Sequence, residues 1–184
     1  MSDHFFISYS TADALDFARK LADEMDGGYP FVKSWFDKRD LKPGDDWDDQ
    51  IADAIKSCKG LLFVLTRDSV ADGSVCKQEW SMALNNKKPV VPIRLHTDVE
   101  LPFRLGSRQW IDFTESFDAG LGKLRKHIAW LDSPEGHLQE AKDRLADTRR
   151  NLNRARPDDQ LRFQQQIAEI EADIKVREQA LKQK

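Results

Sequence analysis

Short apolar runs alternate with stretches of helical spacing over residues 4–131. Five of these runs predict strands, at residues 4–8, 31–36, 60–66, 89–94 and 109–113. The first run is apolar on both faces, and the third is the most apolar in the chain, which predicts a central strand enclosed by two layers of helices. The alternation therefore predicts an α/β fold, a five-stranded parallel sheet flanked by helices.

Helical spacing fills most intervals between these strands. Apolar residues recur three and four positions apart at residues 13–25, 47–55, 74–86 and 116–131. The interval after the second strand is different, because residues 37–45 are mostly charged, lack apolar periodicity and contain Pro43-Gly44, a turn signal. This charged segment is predicted to stand out from the body of the domain.

A different pattern begins at residue 133. All five Trp, both Tyr and nine of the ten Phe precede it, so the side chains that fill cores end there. Leucines recur every seven residues from 131 to 152, residues 155–159 break that helix, and a second apolar seam follows. We predict residues 1–132 as one domain and residues 133–184 as a two-helix coiled-coil hairpin, a connector or oligomerisation element. The alternative is a straight zipper between two chains, against which Pro157 argues.

Composition and charge narrow the expected partners. The formal net charge is -3, and residues 133–184 hold 11 Lys and Arg against 10 Asp and Glu, so neither part has the basic surface of a nucleic-acid-binding protein. No run of about 18 apolar residues predicts a membrane span, and the first residues lack a signal-peptide pattern. Cys58 and Cys76 fit free thiols in a reducing compartment. We expect a soluble, cytoplasmic protein with no direct nucleic acid or membrane partner.

Several chemistries known on such sheets are excluded by the residues that follow the strands. A response regulator needs acidic residues and a Lys where this chain has Ser8-Tyr9-Ser10, Thr66-Arg67 and Thr114-Glu115. The first strand-to-helix turn has no glycine, which excludes a Walker loop and a dinucleotide fingerprint. The four histidines lack the spacing of metal ligands, so no metal site is expected. Cys76 has no His near it in sequence and is interpreted as a small buried hydrophobe.

Four segments of the first domain carry the motifs of one family. They are Phe5-Phe6-Ile7-Ser8-Tyr9-Ser10, Arg39-Asp40-Leu41-Lys42-Pro43-Gly44, Ile51 with Ala54-Ile55, and Ser74-Val75-Cys76 with Glu79. In order and spacing this chain resembles the Toll/interleukin receptor (TIR) domain over residues 4–131, and it is similar to the prokaryotic members of that family. The resemblance implies a flavodoxin-like TIR fold. The tail at residues 133–184 lies outside it.

The resemblance implies that Glu79 is a catalytic residue. Some TIR domains cleave NAD+ between nicotinamide and ribose, and their key residue is a Glu on the third helix in a pattern like Ser-x-Trp-Cys-x-x-Glu, which Glu79 matches. Val75 stands at the Trp position of that pattern and offers no ring face. NAD+ is then a substrate, and no cofactor is expected. One carboxylate is enough because nicotinamide leaves as a neutral molecule and needs no general acid, whereas ordinary glycosidases use two carboxylates.

The same resemblance implies residues that bind the substrate. The family places an aromatic residue on the second strand against the nicotinamide, and Trp35 matches it, with core packing as the competing interpretation. Tyr9 and Ser10, in the loop after the first strand, are expected to line the same cleft. Lys38 and Arg39 are expected to meet the pyrophosphate, with a solvated loop as the alternative.

Assembly is also implied by the resemblance. In enzymatic TIR domains the protruding loop of a neighbour commonly completes the site, which gives residues 39–44 an assembly role. The expected function is an NAD+ glycohydrolase or cyclase that acts after homo-oligomerisation through TIR domains, in prokaryotic defence or signalling. The alternatives are a non-catalytic scaffold that recruits other TIR domains and an effector that consumes a host's NAD+. The unfinished helical pattern at Lys184 suggests a further C-terminal sensor module absent from this chain.

Overall fold

The computed structural model describes residues 4–29, 31–40, 47–106 and 108–182, with only the backbone at 38 and 39. Five strands form one sheet in the order β2-β1-β3-β4-β5, and every neighbouring pair is parallel. The strands are β1 (His4–Ser8), β2 (Lys33–Trp35), β3 (Gly60–Leu65), β4 (Val90–Arg94) and β5 (Ile111–Asp112). The predicted five-stranded parallel sheet is confirmed.

Helices connect the strands and extend beyond them. They are α1 (Leu15–Gly27), α2 (Asp37–Asp40), α3 (Trp47–Ser57), α4 (Val75–Asn85), α5 (Phe117–Leu131), α6 (Pro134–Leu152) and α7 (Pro157–Lys182), and a single 3-10 turn lies at Phe103–Leu105. Each of the first four predicted helical stretches therefore contains a helix. The charged segment after β2 begins with the short helix α2, and residues 41–46 lie outside the described residues.

The third strand is the centre of the sheet, as its sequence predicts. All six residues of β3 are buried, and the strand pairs with β1 on one side and β4 on the other. A strand with no polar position has no face for solvent, so it needs helices above and below. β3 accordingly lies in the middle of the sheet, with β1 on one side and β4 on the other.

The second strand is shorter than its apolar run predicts. Only Lys33–Trp35 pair with β1, whose first residue His4 is aligned with Lys33. Phe31 lies before that alignment and is 66% exposed. The apolar run over residues 31–36 therefore contains an exposed aromatic side chain as well as a strand, and the strand prediction was too long at its start.

One face of the sheet packs against α3 and α4. Residues on alternate positions of a strand share a face, so Phe6 and Ser8 of β1 point to the same side, where Phe6 joins the core. The buried members of this core are Phe6, Ala54, Ile55, Cys58, Leu61, Phe63, Leu65, Cys76, Trp80, Ala83, Val90, Val99 and Leu105. Ser8 therefore ends β1 on a face that α4 covers.

The chain divides into two compact units, Met1–Leu124 and Arg125–Lys184. The second unit contains a helical hairpin, in which Lys142 pairs with Glu178 at 2.8 Å and Arg149 with Glu171 at 2.6 Å. A step of seven residues forward on α6 matches a step of seven backward on α7, so the two helices are antiparallel. The predicted hairpin is confirmed, and the straight zipper is not. The division falls within α5, and the domain boundary at residue 132 stays a prediction.

Helix α6 begins with a capping residue followed by a proline. The Ser133 hydroxyl oxygen accepts a hydrogen bond from the Gly136 backbone N–H at 3.0 Å, and Pro134 occupies the first helical position. Within residues 4–182, the described helices include none that is both long enough and apolar enough to cross a bilayer.

Candidate functional site

Two hydroxyl groups and two carboxylates meet near the carboxyl end of β1. The Ser8 hydroxyl donates a hydrogen bond to Glu79 Oε2 at 2.6 Å, although 71 positions separate the two residues. The next residue, Tyr9, donates its phenolic O–H to Asp37 Oδ1 at 2.5 Å. This group of four side chains, which we call the edge cluster, lies at the end of the sheet where ligands of such folds bind.

Helix α4 presents Glu79 because its buried side packs on the sheet. Cys76, Trp80 and Ala83 are buried at helical spacing and anchor the helix to the core. Glu79 lies three residues after Cys76 and is therefore on the neighbouring part of the same face. It is partly buried and points to the sheet edge, where Ser8 meets it.

The environment of Glu79 perturbs its protonation. Burial raises the pKa of this carboxyl from 4.5 to about 7, the hydrogen bond from Ser8 lowers it, and the charge of Asp37 raises it further. A carboxyl with such a pKa is divided between its neutral and ionised forms at neutral pH. Perturbed carboxyls at sheet edges are candidates for catalytic groups.

Tyr9 is held as a neutral hydrogen-bond donor. Burial and the bond to Asp37 raise the pKa of its phenol far above the usual range, and Asp37 and Glu79 both add to this effect by their charge. Its ring stacks on Phe36 with the centroids 5.3 Å apart. Tyr9 therefore fixes Asp37, the first residue of α2, against the end of β1.

Ser10 belongs to a second group of polar side chains. Its hydroxyl donates to Asp68 at 2.5 Å and accepts from the Ala12 backbone N–H at 3.1 Å. Beside it, Thr66 donates to Asp13 at 2.8 Å. These bonds tie the loop after β1 to the loop after β3, so the structure gives Ser10 a loop-fixing contact and does not join it to Glu79.

Trp35 is engaged by the core. Its ring stacks on Phe6 with the centroids 4.7 Å apart and the planes 12° from parallel. Trp35 is aligned with Phe6 on the neighbouring strand, and Ser8 lies two residues on, about 7 Å along the strand. It also lines a cleft of about 430 Å³ together with Lys33, Asp40 and Gln50, which are not in the edge cluster. The structure thus places Trp35 near Ser8 but packs one of its ring faces.

Two predicted site residues, Lys38 and Arg39, and two residues of the Glu79 motif, Val75 and Cys76, remain. The side chains of Lys38 and Arg39 lie outside the described residues. Val75, the first residue of α4, is 60% exposed and brings no ring to the cluster. Cys76 is buried, and burial together with the charge of Glu79 raises the pKa of its thiol to about 11. A thiol with this pKa is protonated at neutral pH and is a poor nucleophile.

Sequence reasoning missed Ser8 and Asp37 as members of the site. Ser8 is a polar residue on the core-facing side of an otherwise apolar strand, and Asp37 comes two residues after the end of β2. Both stand at carboxyl ends of neighbouring parallel strands, which was the available signal. Among the residues that the structure describes, no three His, Cys, Asp or Glu side chains are grouped as metal ligands.

Comparison with known proteins finds one family whose model matches this chain. Residues 5–125 match the TIR domain family. The TIR domain of the Toll-related receptor TRR-2 from Hydra magnipapillata is similar in structure, with a TM-score of 0.56 and 20% identity over 70% of this chain and 99% of that chain. A prokaryotic SEFIR domain is similar with a TM-score of 0.52 and 24% identity over 68% of this chain and 97% of that chain. At these identities the likeness concerns the fold. A search of curated proteins gave no significant match.

Proposed function

This chain belongs to the TIR domain family, and from that membership we propose that it is an NAD+ glycohydrolase or cyclase that acts after self-assembly, in prokaryotic defence or signalling. The proposed catalytic carboxylate is Glu79. The observation that carries the proposal is the bond between Ser8 and Glu79, which fixes a partly buried carboxylate at the ligand-binding edge of the sheet.

The reaction suits a site with one working carboxylate. The bond between C1′ of the ribose and the pyridinium nitrogen breaks, and its electron pair neutralises that nitrogen, so nicotinamide leaves without a proton. Positive charge develops on the ribose, and an ionised Glu79 stabilises it. Water then bonds to C1′ and loses a proton, which gives ADP-ribose; attack by an adenine nitrogen instead of water gives a cyclic product.

The catalytic effect required of Glu79 is moderate. A preorganised electrostatic contact to a developing charge contributes about 3 kcal/mol, or about a hundredfold in rate. Only the ionised form of Glu79 stabilises the positive charge on the ribose. The rate should therefore rise as pH rises through the pKa of Glu79, which lies at about 7. In this proposal Tyr9 contributes to the same site by holding Asp37.

Other substrate contacts are proposed from the family pattern. Trp35 would stack on the nicotinamide by the face that is not packed on Phe6. Ser10 would act indirectly, since its hydroxyl holds the loop through Asp68. Lys38 and Arg39 would meet the pyrophosphate, and residues 39–44 of a neighbouring copy would complete the site on assembly.

A non-catalytic scaffold is the second candidate function. It is favoured by Trp35, whose ring stacks on Phe6, and by Val75, which stands where the enzymatic pattern has Trp. Both features reduce the aromatic surface available to nicotinamide. In this alternative the same TIR domain would recruit other TIR domains without cleaving NAD+.

Chromatography of nicotinamide distinguishes the two functions. The full chain is concentrated, or fused to a multimerising partner to force assembly, and is incubated with NAD+. We expect release of nicotinamide by wild type and a loss of about a hundredfold or more in Glu79→Ala. Glu115→Gln, which changes an exposed carboxylate, is the matched control and should retain the wild-type rate. No release by the assembled wild type, or equal release by Glu79→Ala, would reject the enzymatic function.

A further inference from the structure

The end of β1 holds two carboxylates with two consecutive hydroxyl groups. Ser8 donates to Glu79 from one residue, and Tyr9 donates to Asp37 from the next. Ser8 is the last residue of β1 and Tyr9 is the first residue after it, so one short segment of backbone holds carboxylates that come from two different elements, α4 and α2. The two acidic groups influence each other electrostatically.

We propose that Ser8 is a positioning residue that orients the catalytic carboxylate of Glu79, and that Asp37, held in place by Tyr9, is the second acidic group that acts on that carboxylate by its charge. This inference rests on the proposed function and deepens it, because it assigns roles to Ser8 and Asp37, for which the sequence alone predicts none.

Ser8 is suited to orienting Glu79. It is fully buried at the end of β1 and is aligned with Phe63 on β3, so the sheet fixes its position. A Glu side chain has three rotatable bonds and loses considerable freedom when it is held in one geometry. The bond from Ser8 to Oε2 restricts the orientation of the whole carboxylate group.

Ser8 and Asp37 act on the charge of Glu79 with opposite signs. The hydrogen bond from Ser8 stabilises the ionised carboxylate and lowers its pKa, whereas the charge of Asp37 destabilises it and raises the pKa. The titratable groups that face Glu79 in the described structure are Asp37 from α2, Tyr9 after β1 and Cys76 on its own helix. Of these, Tyr9 and Cys76 are neutral at neutral pH, so Asp37 is the charge that matters.

Opposite shifts of the pH profile test the proposal. We would measure kcat/KM against pH for the assembled full chain as wild type, Ser8→Ala, Ser8→Thr and Asp37→Asn. The acid limb should move to higher pH in Ser8→Ala and to lower pH in Asp37→Asn, each by about half a unit or more. Ser8→Ala should also lower kcat about fivefold to tenfold, the value of one hydrogen bond, with KM within about twofold.

Ser8→Thr and one further variant, Ser34→Ala, distinguish a positioning role of Ser8 from general damage to the fold. Ser8→Thr keeps the hydroxyl and should restore the wild-type pH midpoint. Ser34→Ala removes a hydroxyl that is equally buried on the neighbouring strand β2 and should leave the midpoint unchanged. Shifts of Ser8→Ala and Asp37→Asn in the same direction, or no shift in either, would overturn the proposal.

A titration that needs no NAD+ cleavage keeps the two proposals distinguishable. The side-chain carboxyl carbon of Glu79, labelled with ¹³C, reports its pKa by NMR, and Glu79→Gln identifies its signal. If the wild type cleaves no NAD+ but the signal shifts oppositely in Ser8→Ala and Asp37→Asn, the proposed function fails and the positioning roles stand. If NAD+ is cleaved but neither variant moves the titration, the positioning roles fail and the function stands.

Discussion

Two regions of this protein hold a Glu side chain against a polar partner, and the pKa values of the two carboxyl groups shift in opposite directions. At the sheet edge, Ser8 bonds Glu79 in a partly buried setting, and the pKa of Glu79 rises to about 7. In the helical hairpin, Lys142 pairs with Glu178 near solvent, and the pKa of Glu178 falls because of the hydrogen bond and charge of that lysine. The difference shows that a neutral hydroxyl donor compensates only part of the cost of burying a charge.

The Ser8–Glu79 contact has the features of a catalytic site, whereas the Lys142–Glu178 contact has those of a surface ion pair. A carboxylate that is costly to ionise gains more from a developing positive charge than one already paired with a cation in water. Exposed ion pairs are worth little because water and salt screen them. The hairpin pairs therefore accompany the antiparallel register of α6 and α7 without adding much stability, whereas the edge cluster holds a carboxyl group whose ionisation costs stability.

The largest expected effect on stability comes from removing the charge of Glu79. Because the folded-state pKa of about 7 lies above the unfolded value of 4.5, stability is lost as pH rises between these two values. Above both values, ionised Glu79 destabilises the fold by on the order of 3 kcal/mol. Glu79→Gln should therefore be more stable than wild type by about that amount at pH 8, as measured by urea unfolding followed by Trp fluorescence.

The control is to measure the stability difference between Glu79→Gln and wild type at low pH as well. At pH 4 Glu79 is protonated in both the folded and the unfolded chain, so wild type and Glu79→Gln should unfold at nearly the same urea concentration. A stability gain of equal size at both values of pH would mean that packing, and not charge, explains the effect. A loss of stability at pH 8 would contradict the electrostatic account of the edge cluster.

A smaller effect is expected from the second hydroxyl of the cluster. Tyr9→Phe removes the bond to Asp37 and should cost about 1 kcal/mol, the net value of one hydrogen bond, in the same urea experiment. Tyr29→Phe is the matched control, since the Tyr29 side chain is 93% exposed and its hydroxyl can bond to water. Equal unfolding of both variants would show that the Tyr9 bond adds nothing to the fold.

The smallest effect on stability is expected for Glu178 in the hairpin. Removing its charge should lower stability, whereas removing the charge of Glu79 should raise it. The lowered pKa of Glu178 means that its ionised form stabilises the folded chain above the unfolded pKa, and that this stability is lost as pH falls. Glu178→Gln should therefore be slightly less stable than wild type at pH 8, by less than Tyr9→Phe, with the difference disappearing in high salt. Circular dichroism during urea unfolding measures this, and a gain in stability at pH 8 would remove the contrast between the two regions.

The sequence predicted the sheet well because hydrophobic patterning determines it. The all-apolar run at Gly60–Leu65 requires burial on both faces, which puts β3 in the centre. The leucine repeat over residues 131–152 and the break at residues 155–159 likewise predicted the hairpin. These features depend on residues close together in the chain.

The candidate site was predicted only in part, because its contacts join distant residues. The motif with Cys76 pointed to Glu79, but the bond from Ser8 spans 71 positions and no local pattern reveals it. Trp35 could be assigned to the second strand, yet its stacking on Phe6 depends on the register between β1 and β2. Local spacing identifies candidate residues, and the tertiary fold decides which of them meet.

The pH dependence of nicotinamide release by the assembled full chain tests the central claim most directly. The account predicts that the rate rises with pH through a midpoint near 7, the pKa of Glu79, and that Glu79→Gln loses this release while it remains folded. Release that is independent of pH over this range, or that continues at the wild-type rate in Glu79→Gln, would contradict it.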